Sequence, residues 1–200
     1  MKTPMIFLPG KGKLPNDPAF GPFTEIAAHF NADLIPIVAP HPHRGGFRWH
    51  NANKQPELEA QAEFEQSMLH ITVETEKLLS KNGQSWNDVI WLGHSQGGGM
   101  AIHMALRHGA KRVIVFSADI PDNFPFPAHP NTSFIVDWNQ AGKDNVLNPA
   151  RRQSYKKLEQ IGIGVNYIFC PDCMHWFLAD TGNSTETFDT KLYFESIKER

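Results

Sequence analysis

Asp88-Val89-Ile90-Trp91-Leu92-Gly93-His94-Ser95-Gln96-Gly97-Gly98-Gly99-Met100-Ala101-Ile102-His103 is the stretch whose reading decides the fold. The apolar run over 88–92 reads as a strand covered on both faces, and 96–108 reads as a helix. Between them, Gly93-His94-Ser95-Gln96-Gly97 fits G-x-S-x-G, a sharp strand-to-helix turn that lifts a serine hydroxyl above a sheet edge. Glycines on both flanks remove the side chains that would clash there. The start of the helix favours negative charge developing beside it. A bare G-x-S-x-G arises by chance, as a glycine turn with a surface serine. Strand before and helix after make Ser95 the candidate nucleophile.

The alternation of short apolar runs with helical patterns continues on both sides. Strands are expected at 4–8, 33–38, 112–116, 133–137 and 164–169, and helices at 20–30, 57–81, 149–161 and 185–198. Such alternation predicts an α/β fold with a mostly parallel sheet and helices on both faces. Within 57–81, Phe64, Met68, Ile71, Thr75 and Leu78 recur at helical spacing, and Asn82-Gly83 supplies the stop. Two segments, 39–56 and 118–132, are rich in Pro, Gly, Asn and His and read as long loops. Both follow the C-terminal end of a strand, the edge where open α/β sheets bind ligands.

Composition narrows the function. A chain of 200 residues is expected to form one domain over 1–200. Lys and Arg number 19 against 21 Asp and Glu, which excludes the basic excess of a nucleic-acid binder. Hydrophobic residues at 40% exclude a disordered chain. Two cysteines cannot build a disulfide framework, so nothing demands an oxidising compartment. Only four consecutive apolar residues, Met5 to Leu8, precede Pro9, too few for a signal peptide or a membrane span. The expectation is a cytoplasmic protein without stable membrane insertion. Its oligomeric state is open, a homodimer included.

A serine nucleophile needs a base and an orienting acid, which on this topology follow in the order Ser, acid, His. Of the histidines after Ser95, His103 and His108 lie on the following helix and His129 precedes a strand. His175 follows the last expected strand, so the sheet edge delivers it beside Ser95. Among the acids, Asp144 lies in a glycine-started loop of its own; Asp119 is the serious rival, with Asp137 and Asp172 behind it. An oxyanion hole would combine the amide of Gln96 with one from the loop Leu8-Pro9-Gly10-Lys11-Gly12, where Lys11 is the candidate. Trp49, Trp138 and Trp176 are candidates for lining a substrate pocket, with plain core packing as the alternative.

These motifs resemble the α/β-hydrolase superfamily, and within it the phospholipase/carboxylesterase group of small esterases without a cap. The resemblance spans Phe7-Leu8-Pro9-Gly10 to Met174-His175, and Ser95-Gln96-Gly97-Gly98 is its most specific piece. Val115-Phe116-Ser117-Ala118, Gly142-x-x-Asp144-x-Val146 and Trp49 resemble further landmarks of the group. Pro9 stands where the group usually has histidine, the acid loop lacks its usual His-Gly start, and Asp172-Cys173-Met174 replaces a run of small residues. The resemblance implies a six-stranded sheet without the leading hairpin of larger relatives. It also implies hydrolysis of a small-molecule carboxylic ester or thioester through an acyl-enzyme, with no metal or organic cofactor. A peptidase or lactone hydrolase on the same fold, or a binding module that kept the fold, remain the alternatives.

Weaker signals point elsewhere without reaching a second chemistry. Cys170-Pro171-Asp172-Cys173 is a C-x-x-C, but it ends the last expected strand and has no second pair. His41, His43 and His50 share one loop without a carboxylate or Cys at ligand spacing. No nucleotide-binding glycine motif and no H-E-x-x-H occurs.

Overall fold

The computed structural model describes residues 2–14, 21–53, 56–124, 126, 134–147, 149–171, 173, 175 and 193–194. In chain order the strands are β1 (Thr3–Leu8), β2 (Ala32–Pro36), β3 (His41–His43), β4 (Gly46–Arg48), β5 (Ile90–His94), β6 (Arg112–Phe116), β7 (Ile135–Ala141) and β8 (Gly164–Cys170). The helices are α1 (Gly21–His29), α2 (Glu57–Asn82), α3 (Gln96–His108), α4 (Pro149–Arg152) and α5 (Tyr155–Gln160). Six strands form one sheet in the order β2-β1-β5-β6-β7-β8, and every pairing in it is parallel. β1 is the pivot: the chain first builds outward to β2, then returns to lay β5 on the other side. The strand order reverses there, which opens a crevice at the C-terminal ends of β1 and β5.

Side chains alternate across the pleat into two cores. Ile6 and Leu8 of β1 and Trp91 of β5 face the first, with Phe64, Met68 and Ile71 of α2 and Met100 and Met104 of α3. Met5 and Phe7 of β1 and Ile90 and Leu92 of β5 face the second, with Phe23 and Ile26 of α1 and Tyr193. Fully burying each such side chain contributes about 1.5–3 kcal/mol, which is why the central strands read as unbroken apolar runs.

Several boundaries differ from the sequence expectation. The buried stripe of α2 closes on Leu79, with Leu78 half-buried, and Gly83 at φ 62° ends the helix by meeting the Leu79 and Ser80 carbonyls. Part of the expected loop 39–56 is an antiparallel hairpin, β3–β4, turning on Arg44 at φ 44° and Gly45 at φ 80°. Positive φ at both turn residues suits the twist of a two-residue hairpin. β7 starts later than expected and runs on to Ala141, so Asp137 lies in its first half and not at its end. The expected helix 149–161 is two short ones, broken where the Gln153 and Ser154 amides turn back to Ala150 and Arg151. Of the expected helix 185–198, only 193–194 lie among the described residues. Among those residues, no helix is long and apolar enough to cross a membrane.

Candidate active site

Ser95 sits between β5 and α3 at φ 51° and ψ −120°, a backbone conformation that costs a non-glycine residue on the order of 1–3 kcal/mol. The turn closes because its flanks are bare. A Cβ on Gly93 would lie 2.6 Å from the Gly97 carbonyl oxygen, and one on Gly97 would strike the carbonyls of Leu8 and Pro9. Backbone bonds hold the bend: the Ser95 amide donates to the Phe116 carbonyl at 2.9 Å, and the Ser95 carbonyl accepts from Asp119 at 2.9 Å and Gly98 at 3.0 Å.

His175 meets this serine. Its Nε2 accepts from the Ser95 hydroxyl at 3.0 Å, while Nδ1–H donates to Asp144 Oδ2 at 2.9 Å. Both His175 and Asp144 are buried. Burial opposes ionisation of Asp144, yet the bond from His175 and the amides of Leu147 and Val146 outweigh it and hold the carboxyl at about 2. Those amides reach Oδ1 at 2.9 Å each, and Gln140 Nε2 reaches Oδ2 at 3.4 Å. Behind the pair, His94 Nε2–H donates to the His175 carbonyl at 3.0 Å. Burial, then the neighbouring His175, push the His94 imidazole down to about 3, so it stays neutral.

The rival acids are engaged elsewhere. Asp119 Oδ1 accepts from Arg151 at 2.7 Å. Asp137 binds Arg112 at 2.5 and 2.9 Å, Asn166 at 2.9 Å and the Tyr193 hydroxyl at 3.0 Å, near the start of β7. Asp172 and His129 lie outside the described residues.

Gln96 follows the serine and Lys11 lies in the loop after β1. Among the described residues, no acceptor takes either backbone amide. The side chain of Gln96 does different work. Its Oε1 accepts from the Trp49 amide at 2.8 Å and its Nε2 donates to the His50 carbonyl at 2.9 Å, which fastens the segment after β4 to the elbow. Trp49 is fully buried, and its indole donates to the Pro9 carbonyl at 2.8 Å, next to Gly10 and Lys11. Trp138 is also fully buried, with its indole on Gln140 at 3.4 Å. Neither lines the cleft, contrary to the expectation of substrate contact. Trp176 lies outside the described residues.

No family model matches the sequence, and no curated protein matches it. Solved structures do. Over 99% of this chain and 92% of the other, it superposes on esterase PE8 with TM-score 0.76 at 23% identity. A carboxylesterase from Mesorhizobium loti gives 0.73 at 17% identity over 100% and 88% of the two chains. SOBER1 from Arabidopsis thaliana gives 0.71 at 16% identity over 98% and 97%. The chain has the α/β-hydrolase fold.

Within this hydrolase fold, the crevice at the strand ends is a cleft of about 530 Å³ that reaches Ser95, Gln96 and His175. Lys11, Arg44, Asp119 and Arg151 also face it. The β3–β4 hairpin, which carries Arg44, has only loop composition as its sequence signal. The turn before His175 is also closed by a disulfide, Cys170–Cys173, with Cα atoms 5.4 Å apart. Gly142 and Lys143 donate to the Cys170 and Cys173 carbonyls at 2.7 and 2.9 Å, so this turn and the start of the Asp144 loop are fastened together. C-x-x-C spacing permits such a bond without demanding it. Gln140 and His94 are further site residues that the sequence expectation does not include. The position of His94 inside the elbow was the available signal.

Proposed function

We propose that the protein is a serine hydrolase that cleaves carboxylic esters or thioesters through an acyl-enzyme. The reading is carried by the unbroken hydrogen-bonded line Ser95–His175–Asp144 at a strained elbow. The neighbours described as an esterase and a carboxylesterase lend it support.

Asp144 fixes the tautomer, because an ionised carboxylate accepts the Nδ1 proton and leaves Nε2 with a free lone pair. His175 then takes the Ser95 proton as Oγ attacks the carbonyl carbon. The amides of Gln96 and Lys11 receive the negative oxygen as it forms, assisted by the positive end of α3. The imidazolium returns its proton to the departing alcohol or thiol. Water, deprotonated by the same imidazole, releases the acid and regenerates Ser95. The positioning bonds from Gln140, Val146 and Leu147 keep Asp144 aimed throughout.

Labelling with a fluorophosphonate tests this directly. One adduct per chain, on Ser95, with parallel loss of ester hydrolysis, is the expected outcome. An unlabelled but folded protein that turns over no short-chain ester or thioester would overturn it.

A further inference from the structure

Among the described residues, three cationic side chains, Lys11, Arg44 and Arg151, face the cleft against one carboxylate, Asp119. Asp119 is already held by Arg151 at 2.7 Å. Among the described residues, neither Lys11 nor Arg44 has a carboxylate partner, although the other arginine of the hairpin, Arg48, pairs with Glu63 at 3.0 Å. The chain as a whole carries net −2, so this positive mouth is local and not a by-product of a basic protein.

The mouth is also built. Arg44 occupies a turn position at φ 44°, where glycine or asparagine would sit at lower cost. The hairpin behind it is docked on the loop after β1. The Gly12 amide donates to the Phe47 carbonyl at 2.6 Å, and Lys13 bridges to the same residue. Gly46 lies so close to the Gly12 carbonyl that a Cβ would collide with it. The tip is therefore fixed relative to the oxyanion loop and Ser95. His50 adds no charge to the cleft: burial, then Arg151 and Lys11, push its imidazole down to about 3. Asn51 and Asn53 join the lining, whose described apolar part is limited to Ala52, Val146 and Leu147.

We infer that the cleft selects esters bearing a carboxylate on the acyl or alcohol portion, and that Arg44 is a specificity-determining residue for them. A guanidinium on a fixed tip matches a carboxylate, and its attraction persists at every working pH. The inference rests on the ester-hydrolase reading of the same site.

Two isosteric pairs test it, followed by titration of released acid: monomethyl succinate against methyl 4-methylpentanoate, and acetoxyacetate against isobutyl acetate. The first pair places the carboxylate on the acyl side, the second on the alcohol side. In at least one pair the anionic ester is expected to lead in kcat/KM by roughly tenfold, the low end for one charge-assisted hydrogen bond. Arg44→Glu removes that lead and Arg44→Lys keeps most of it. A ratio at or below one in both pairs, or a ratio unmoved by Arg44→Glu, overturns the inference. Calorimetric binding of the same four esters to the Ser95→Ala protein reads the preference without turnover. Selective binding there, with no hydrolysis by the wild-type protein, sinks the esterase reading and leaves the anion selectivity standing. Hydrolysis of the neutral esters with no anion preference in either assay sinks the selectivity alone.

Discussion

Asp144→Asn separates the charge of the proposed acid from its packing. The amide keeps the volume and offers an oxygen to the Val146 and Leu147 amides, which now reach Oδ1 at 2.9 Å each. It no longer presents a carboxylate to His175 Nδ1–H, which lies 2.9 Å from Oδ2. With an amide NH₂ toward the ring, the imidazole carries its proton on Nε2 and cannot receive one from Ser95. Turnover should fall on the order of 10⁴, equivalent to about 5 kcal/mol of barrier. Stability changes too. A carboxyl held at about 2 instead of its ordinary 3.8 contributes on the order of 2 kcal/mol while ionised. Because the folded-state value is depressed, this contribution is fully present above about pH 4 and is lost as pH falls through about 2. The gap in unfolding free energy between wild type and Asp144→Asn should therefore narrow from pH 7 to pH 3. Steady-state hydrolysis and urea melts at both pH values read the two effects. Turnover of Asp144→Asn within tenfold of wild type, with Asp119→Asn the crippled variant, would refute the assignment of the acid.

Ser95→Ala should abolish fluorophosphonate labelling and lower hydrolysis by orders of magnitude, while its urea midpoint stays near wild type; turnover close to wild type would remove Ser95 from the mechanism. Asp137→Ala strips a buried carboxylate from Arg112, Asn166 and Tyr193 and should destabilise by about 3–5 kcal/mol in chemical denaturation; a loss below about 1 kcal/mol contradicts the buried-network account. Trp49→Phe removes the indole bond to the Pro9 carbonyl and should lower kcat several-fold with a smaller change in KM, because the loop after β1, proposed to hold the oxyanion, shifts. A KM effect alone would instead return Trp49 to a substrate-contacting role.

The parts of this molecule legible in sequence are those fixed by local rules. The elbow is legible because its glycines answer a backbone collision, seen at Gly93 and Gly97. Asp144 stands out because a short glycine-started loop between a strand and Pro149 leaves a carboxylate free to turn inward. What failed was set by tertiary packing. Trp49 stands near the right edge and Trp138 in the middle of β7, but which face a side chain presents depends on partners distant in sequence, such as Pro9 for Trp49. The β3–β4 hairpin escaped notice because three-residue strands are too short to show a period, and its turn uses Arg-Gly in place of Asn-Gly or Asp-Gly. The sequence places Asp137 at a strand's end because an apolar run does not mark where its strand stops. With β7 extended to Ala141, the side chain falls toward the other end of the sheet.

The site holds its strain by spreading it over three strand ends. Ser95 keeps an unfavourable backbone because its amide and carbonyl both bond to the β6 side, through Phe116 and Asp119. Each such bond contributes about 0.5–1.5 kcal/mol net, together comparable to the conformational cost. Gln96 holds Trp49, and Trp49 braces the loop after β1 through a buried bond to the Pro9 carbonyl, so that loop is coupled to the core. His175 is held differently. It hangs on a turn closed by Cys170–Cys173, with its carbonyl on His94 and its ring on Asp144. Cys173 belongs to the second core and Cys170 packs against it, so loosening the turn costs some folding energy. The same loosening moves Nε2 relative to a serine 3.0 Å away, and catalysis is far more sensitive than stability to such a displacement. Changes in the 170–175 turn should therefore lower kcat well before they lower the melting point.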